Sequence, residues 1–198
     1  MYKECKTEQS AKRQYDVEQA FLDLLLVKKY DEITISELCE SISIPRKAFY
    51  RYFDDKTGVL RAMIHHTLVR YGEFSANHFS ARRTVKGEIE QFFMYWKEDS
   101  QKRLLAALEG SELLSELISI AIDFSNSRLV NLSKFFNEDD CEISGEMFCF
   151  IITGLMSLML SWYKSDYERD TAEMANITCR LLTSPIFPNL REWGIYEE

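Results

Sequence analysis

The stretch TISELCESISIPRKAFYRYFDDK, residues 34–56, decides the fold because it holds two short helical patterns only a few residues apart. The first pattern has apolar residues at helical spacing, namely Ile35, Leu38, Cys39 and Ile42. Thr34 or its neighbour can cap this helix. The second is predicted from Pro45 to Phe53, since proline fits the first turn of a helix. Two short helices joined by a tight turn predict a helix-turn-helix.

The second predicted helix has two different faces. One face is aromatic and carries Phe49, Tyr52 and Phe53. The other is basic and hydroxyl-bearing, and carries Arg46, Lys47, Tyr50 and Arg51 with no acid among them. The chain as a whole has a net charge of -8, with ten basic and eleven acidic residues over 1–60 and fourteen against twenty-one over 61–198. A basic helix in an acidic chain indicates an anionic partner, although a solvated helix face is the alternative.

The residue types on the basic face suit double-stranded DNA. Arg46 and Lys47 can donate to guanine N7 and O6, so they are the predicted base readers. Tyr50 can donate to a phosphate, and Arg51 is placed toward the backbone. Lys56 begins the next helix, and a cation at the start of a helix is not stabilised by the helix dipole. We therefore expect Lys56 to pair with a phosphate or with a nearby carboxylate.

Apolar periodicity predicts helices along the rest of the chain, which has only 7 Gly and 3 Pro in 198 residues. Ahead of the helix-turn-helix, a stripe of Val17, Ala20, Phe21 and Leu24 predicts a helix over 11–28. A connecting helix follows over about 56–79, capped by Asp54 or Asp55. Further helices are predicted near 84–98, 101–109, 112–136, 142–164 and 168–183. The fold class is therefore all-α, with about nine helices.

Seventeen residues from Met147 to Tyr163 carry no charge, which is close to the length that spans a membrane. Small and hydroxylated residues interrupt this segment, and the other helices are amphipathic. A buried core or interface helix is the preferred interpretation over a membrane span. The first sixteen residues lack an apolar core, so the protein is expected in the cytoplasm.

Chemical motifs are missing from the sequence. The glycines form no phosphate-binding loop and no nucleophile motif is present, so the chain is not predicted to be an enzyme, and neither a cofactor nor a metal is expected. His65, His66 and His78 have poor spacing for a metal site. The five cysteines include no CxxC pair and are interpreted as buried reduced thiols, with a redox sensor at Cys141 and Cys149 as the alternative.

About fifty residues, from Arg13 to Met63, resemble the tetracycline-repressor-like (TetR) family of bacterial transcription regulators. The resemblance is carried by linked features in the family's order, namely Ala20 and Phe21, Tyr30, the ITISELCES run, Ile44, AFYRYF, and Lys56 followed by Leu60. The chain departs from the family at Ser43, where a glycine is usual, and at Pro45 and Lys47, where small residues are commoner. These departures prevent any transfer of an operator sequence.

The resemblance implies a function and an organisation. Residues 1–56 would be the DNA-binding domain and residues 80–198 an effector-binding and dimerisation domain. The positions that would lie at DNA are Thr34, Pro45, Arg46, Lys47, Ala48, Tyr50, Arg51 and Lys56. A homodimer would form through helices 142–164 and 168–183. Candidate residues for an effector pocket are Phe92, Tyr95, Trp96, Phe124, Met147 and Phe150, each of which could equally be ordinary core.

The expected function is a repressor that a small molecule releases from a palindromic operator. Two alternatives remain open. One is a transcriptional activator of the same family. The other is a ligand-binding or protein-interaction module that has the fold but does not bind an operator.

Overall fold

The computed structural model describes residues 2, 3, 5, 7–78, 84–109, 113–124 and 145–183. These residues form nine α-helices and a 3-10 turn at Tyr30–Glu32, and their only β pairing is one isolated bridge. The helices are α1 (Glu8–Leu25), α2 (Ile35–Ser41), α3 (Arg46–Phe49), α4 (Lys56–Asn77), α5 (Val85–Lys97), α6 (Asp99–Glu109), α7 (Leu114–Phe124), α8 (Gly145–Lys164) and α9 (Thr171–Thr183). The prediction of an all-α chain is confirmed.

Side-chain caps fix where the helices begin. The Thr7 hydroxyl accepts a hydrogen bond from the Ser10 amide at 3.2 Å, so α1 starts three residues earlier than predicted. The Asp55 carboxylate accepts from the Gly58 amide at 2.6 Å and starts α4, as one of the two predicted caps. Thr84 caps α5 in the same way. Each cap satisfies an amide that the helix itself leaves without an acceptor.

Two predicted helix ends are wrong. The helix predicted to reach residue 28 ends at Leu25, and Lys28 pairs with Glu37 on α2 instead of sitting on the helix terminus. The helix predicted from residue 168 begins at Thr171. The Asp170 carboxylate accepts a hydrogen bond from the Glu173 amide at 2.7 Å, and this cap sets the later start.

The predicted helix 112–136 is present as Leu114–Phe124, and residues 125–144 lie outside the described residues. The predicted helix 142–164 is present as Gly145–Lys164. Its uncharged segment contributes Met156, Met159 and Trp162 to the core, as expected of a buried helix. Among the described residues, no helix is both long and apolar enough to cross a membrane.

The core is continuous from α1 to α9. Helix α1 packs on α2, α4 and α6, whereas α4 also contacts α5 and α7. Helix α5 packs extensively along α9, and α7 packs on α8. Phe21, Phe49 and Phe53 are fully buried, so α1 and the end of α3 meet around aromatic side chains. This packing holds α3 at the surface with its aromatic residues inward.

Candidate nucleic-acid interface

Helix α2 ends in a tight turn that leads directly into α3. The Ser43 amide donates to the Glu40 carbonyl at 3.1 Å, and the Ile44 amide donates to the Cys39 carbonyl at 2.9 Å. This pair of hydrogen bonds is the Schellman arrangement, which requires a left-handed residue after the helix cap. Ser43 is that residue, with φ of 53°. The Thr34 hydroxyl caps the other end of α2 by accepting from the Glu37 amide at 3.2 Å, as predicted.

The left-handed conformation of Ser43 predicts that replacing it by glycine would stabilise the fold. A left-handed conformation costs a non-glycine residue roughly 1–2 kcal/mol, and glycine adopts it freely but loses more chain entropy. We therefore expect Ser43→Gly to raise the free energy of unfolding by about 0.5–1 kcal/mol in urea denaturation. Ser41→Gly, two residues earlier and still inside α2, is the matched control and should lower it. A loss of stability in both variants would contradict the role given to Ser43.

Helix α3 is shorter than the predicted Pro45–Phe53. Pro45 precedes the first turn as the cap residue, and Arg46–Phe49 is α-helical. The backbone then tightens, because the Tyr52 amide donates to the Phe49 carbonyl three residues back at 2.9 Å. Phe49 and Phe53 nevertheless stay on one side, with ring centroids 5.5 Å apart and both side chains fully buried. The predicted separation of the two faces is confirmed.

The outer face of α3 is basic and exposed. Arg46, Lys47 and Arg51 are exposed, and none of them makes a hydrogen bond or ion pair within the described residues. Tyr50 is 43% exposed, and its ring rests edge-on against buried Phe49 at 5.4 Å. We refer to Arg46, Lys47, Tyr50 and Arg51 as the reading face. Its cations are free to pair with an external anion.

Lys56 has a different environment from the predicted one. Its ammonium group donates to the carbonyls of Tyr30, Asp31 and Ile33, at 2.8, 3.2 and 3.2 Å, and lies 4.4 Å from the centre of the Tyr30 ring. The 3-10 turn ahead of α2 and the residue after it supply these acceptors, so the partners of Lys56 within the described residues are backbone carbonyls and not a carboxylate. Lys56 holds that turn to the start of α4. Its contact with DNA stays a prediction.

One further cation lies beside this face, at a position that no pattern in the sequence indicates. The amide of Lys3 donates to the Tyr52 carbonyl at 2.9 Å, and its ammonium group donates to the Tyr50 carbonyl at 3.2 Å. The bridge between Tyr2 and Phe53 aligns this segment with the end of α3. Lys3 therefore adds positive charge next to the reading face. It lies in a polar stretch with no periodicity, so only the folded chain reveals its position.

Three of the six predicted effector residues are buried in the core, and their role in binding an effector stays a prediction. Phe92, Tyr95 and Trp96 are buried at 7%, 2% and 2% exposure. The cavity that Trp96 borders measures about 10 Å³, which is barely the space of one water molecule. Phe150 is 68% exposed. The side chains of Phe124 and Met147 lie outside the described residues.

The histidines and cysteines are structural where they are described. No group of His, Cys, Asp or Glu in the described residues is arranged to hold a metal ion. His66 bonds the buried carboxylate of Glu18 at 3.0 Å and joins α4 to α1. Cys39 is buried, which raises the pKa of its thiol, whereas Cys5, Cys149 and Cys179 are only half-buried, so among the described cysteines the expectation of a buried thiol is confirmed for Cys39 alone. Cys141 lies outside the described residues, so a redox pair with Cys149 stays a prediction.

No protein-family model and no curated protein sequence matches the chain. Solved structures do match it. The fatty acid degradation regulator FadR from Bacillus halodurans has a TM-score of 0.57 at 14% identity, over 92% of this chain and 98% of its own. NalD, the secondary repressor of the MexAB-OprM multidrug efflux pump in Pseudomonas aeruginosa, has a TM-score of 0.56 at 14% identity, over 86% and 94%.

A TetR-family transcriptional regulator from Streptomyces coelicolor matches with a TM-score of 0.51 at 17% identity, over 85% of this chain and 77% of its own. These identities are low, so the likeness is one of fold. The chain has the all-helical TetR-type fold, with the helix-turn-helix near its N-terminus. The fold expected from the sequence resemblance is confirmed.

Proposed function

We propose that this protein is a DNA-binding transcriptional regulator of the TetR type. The observation that carries the proposal is the reading face: three exposed cations with no internal partner, on the second helix of a helix-turn-helix, in a chain of net charge -8. Cations that are exposed and unpaired can neutralise phosphates and donate to base edges without first breaking an internal contact. The matched structures of regulators with the same fold support this function.

The residues have separate roles in this proposal. Arg46 and Lys47 at the start of α3 read base edges, and Pro45 and Ala48 let the backbone approach the groove. Tyr50 and Arg51 contact phosphates, as does Thr34 at the start of α2, where the helix amides point outward. Lys56 acts mainly by holding the start of α2 in place. Residues 1–56 form the DNA-binding domain, α4 connects, and residues 80–198 form the effector-binding and dimerisation domain.

We propose a homodimer through α8 and α9. The exposed face of α8 carries Thr153, Gly154, Ser157 and Ser161, and all four are uncharged and small. A methyl group added at Gly154 would meet no atom within 4 Å, so this face is open to a second helix. A twofold dimer places its two reading faces about 34 Å apart, or a multiple of a helical turn, which requires a near-palindromic operator.

The dimer predicts the effect of a charge on α8. Ser157→Glu places a carboxylate in the centre of the proposed interface, where it would be desolvated without a partner. We expect analytical ultracentrifugation to show monomers that keep the helical circular dichroism signal. Ser119→Glu, on the exposed side of α7, is the matched control and should leave the dimer intact. A Ser157→Glu protein that sediments as a dimer would place the interface elsewhere.

We further propose that the dimer is a repressor and that a small molecule bound beyond α4 releases it from DNA. NalD, which has the same fold, is described as a repressor. Release requires that the effector bind the DNA-free conformation more tightly than the DNA-bound one. An activator would show the same DNA site but the opposite effect of deletion on the neighbouring gene.

Selection of genomic DNA fragments with purified protein at physiological salt tests the proposal. We expect enrichment of a site with two inverted half-sites. Such a site identifies the neighbouring genes and separates repression from activation in a reporter assay. Failure to enrich any palindromic site would refute sequence-specific DNA binding and favour a binding module that only shares the fold.

A further inference from the structure

A cleft of about 500 Å³ opens between α1, α4 and the junction of α5 with α6. We refer to it as the junction cleft. Its volume lies in the range of about 300–1,000 Å³ that small-molecule sites occupy, whereas the cavity inside the core beside Trp96 measures about 10 Å³. Side chains of α1, α4, α5 and α6 line it, chiefly Tyr15, Arg70, Phe74, Tyr95, Gln101 and Arg103. It therefore lies where α1, the helix before the helix-turn-helix, meets α4 and α6.

The floor of the junction cleft is aromatic and rigid. Tyr95 is 2% exposed, and its hydroxyl donates to the Thr67 carbonyl at 3.0 Å. Burial raises the pKa of Tyr95, so the phenol stays neutral and keeps this bond. The Phe74 ring lies 5.4 Å from the Tyr95 ring, tilted by 59°. Phe74 is only half-buried, so its ring, rather than that of Tyr95, offers a ligand an apolar surface in the cleft.

Arg70 brings to the junction cleft a positive charge that no ion pair occupies within the described residues. Its guanidinium group donates to the Thr67 hydroxyl at 3.0 Å and makes no ion pair within the described residues. Two acids also line the cleft, Glu73 and Glu98, and both are exposed at its rim. Glu98 accepts a hydrogen bond from the Ser100 hydroxyl at 3.4 Å. A guanidinium group beside a hydroxyl and a neutral ring suits a planar carboxylate, because it can donate two parallel hydrogen bonds.

Arg103 joins the junction cleft to α1. One of its terminal nitrogens pairs with the Asp23 carboxylate, and the other donates to the Gln19 side chain at 3.2 Å. Both acceptors lie on α1, the helix that supports the helix-turn-helix, while Arg103 lies on α6. A second carboxylate in the cleft would compete with Asp23 for this guanidinium group. Binding there would weaken a polar link between α6 and α1.

We propose that the junction cleft binds a small aromatic carboxylate. Its ring packs against the half-buried side chain of Phe74, its carboxylate pairs with Arg70, and it competes with Asp23 for Arg103. This site lies outside the core cavity, and the proposal rests on the proposed function only for its effect on DNA. Loss of the Arg103 contact to Asp23 changes how α1 sits against α6, and this is the step that couples the ligand to the reading face.

Calorimetric titration of the full-length protein with 2-naphthoate, in the absence of DNA, tests the site. We expect saturable binding that Arg70→Gln weakens about tenfold or more, since a charged hydrogen-bond donor is lost. Asp23→Asn should strengthen binding severalfold, because it frees Arg103. Arg61→Gln is the matched control, since Arg61 lies on the same helix and pairs with Glu116 and Asp123 away from the cleft. Its affinity should equal that of the wild type.

Three results would overturn the site. They are no binding of 2-naphthoate at millimolar concentration, tighter binding of 2-naphthylmethylamine, and equal losses in Arg70→Gln and Arg61→Gln. Circular dichroism shows that each variant is folded before it is titrated. The effect on DNA is measured separately, by adding 2-naphthoate to the complex with a selected genomic fragment. Binding of naphthoate without release of DNA would leave the site intact and refute the effector step.

Discussion

Replacing Arg46 and Lys47 together by alanine is expected to cost about 2–5 kcal/mol of DNA-binding free energy for each recognition helix. Both side chains are exposed and without internal partners, so their loss leaves the fold unchanged and removes only contacts to DNA. Fluorescence anisotropy with a labelled genomic fragment measures the affinity. Urea denaturation of the same variant should give the wild-type free energy of unfolding, within about 0.5 kcal/mol.

A control separates loss of recognition from loss of charge. Lys86→Ala with Arg169→Ala removes the same number of cations from exposed positions beyond α4. This control should retain wild-type affinity to within a few fold at physiological salt, because distant charges are screened. Similar losses in the two double variants would show that the protein binds DNA only through its overall charge, and would refute the role of the reading face.

Replacing Lys56 by methionine is expected to lower the free energy of unfolding by about 2 kcal/mol, since one charged donor serves three carbonyls. Methionine keeps most of the apolar stem, so the change isolates the ammonium group. Urea denaturation followed by circular dichroism measures the loss. The dependence of DNA affinity on salt concentration should keep its wild-type slope, because the ammonium group is already occupied within the protein.

Lys12→Met is the comparison for Lys56→Met. Lys12 is exposed on α1 and makes no contact within the described residues, so its replacement should leave the stability unchanged. The opposite result for Lys56→Met would contradict the structural role given to Lys56. An unchanged free energy of unfolding, with a salt slope reduced by about one, would restore the phosphate contact that the sequence predicted.

The features that the sequence predicted well are set by neighbours along the chain. Thr34 and Asp55 cap helices through amides three residues away, so local spacing limits each cap to one of two neighbouring residues. The two faces of α3 also follow from helical period, since Phe49 and Phe53 are four residues apart. Ser43 stands where the family that the sequence resembles usually has a glycine, and its left-handed conformation explains that preference.

The features that the sequence could not predict depend on contacts between distant residues. The carbonyls that hold Lys56 lie 23 to 26 residues earlier, in a 3-10 turn too short to leave a periodic pattern. Lys3 reaches the end of α3 across 47 residues. Nothing in the sequence around Tyr95 distinguishes a residue of the core from one that borders a cleft. In each case the partner is set by tertiary packing, which periodicity does not specify.

The junction cleft and the reading face are connected through helices α1 and α4. Helix α1 packs on α2 and also contacts α6, where Arg103 bonds it. Helix α4 begins at Lys56 beside the 3-10 turn and lines the cleft with Arg70 and Phe74. Two helices therefore connect the proposed ligand site with the proposed DNA site, which is the arrangement that coupling between two sites requires.

The central claim is that α3 reads the DNA sequence, and one measurement tests it most directly. The affinities of wild type, Arg46→Ala and Arg51→Ala are compared over every single-base variant of a selected operator. We expect Arg46→Ala to lose discrimination at one position of each half-site, and Arg51→Ala to weaken all variants alike. Unchanged base preferences in Arg46→Ala would contradict the claim.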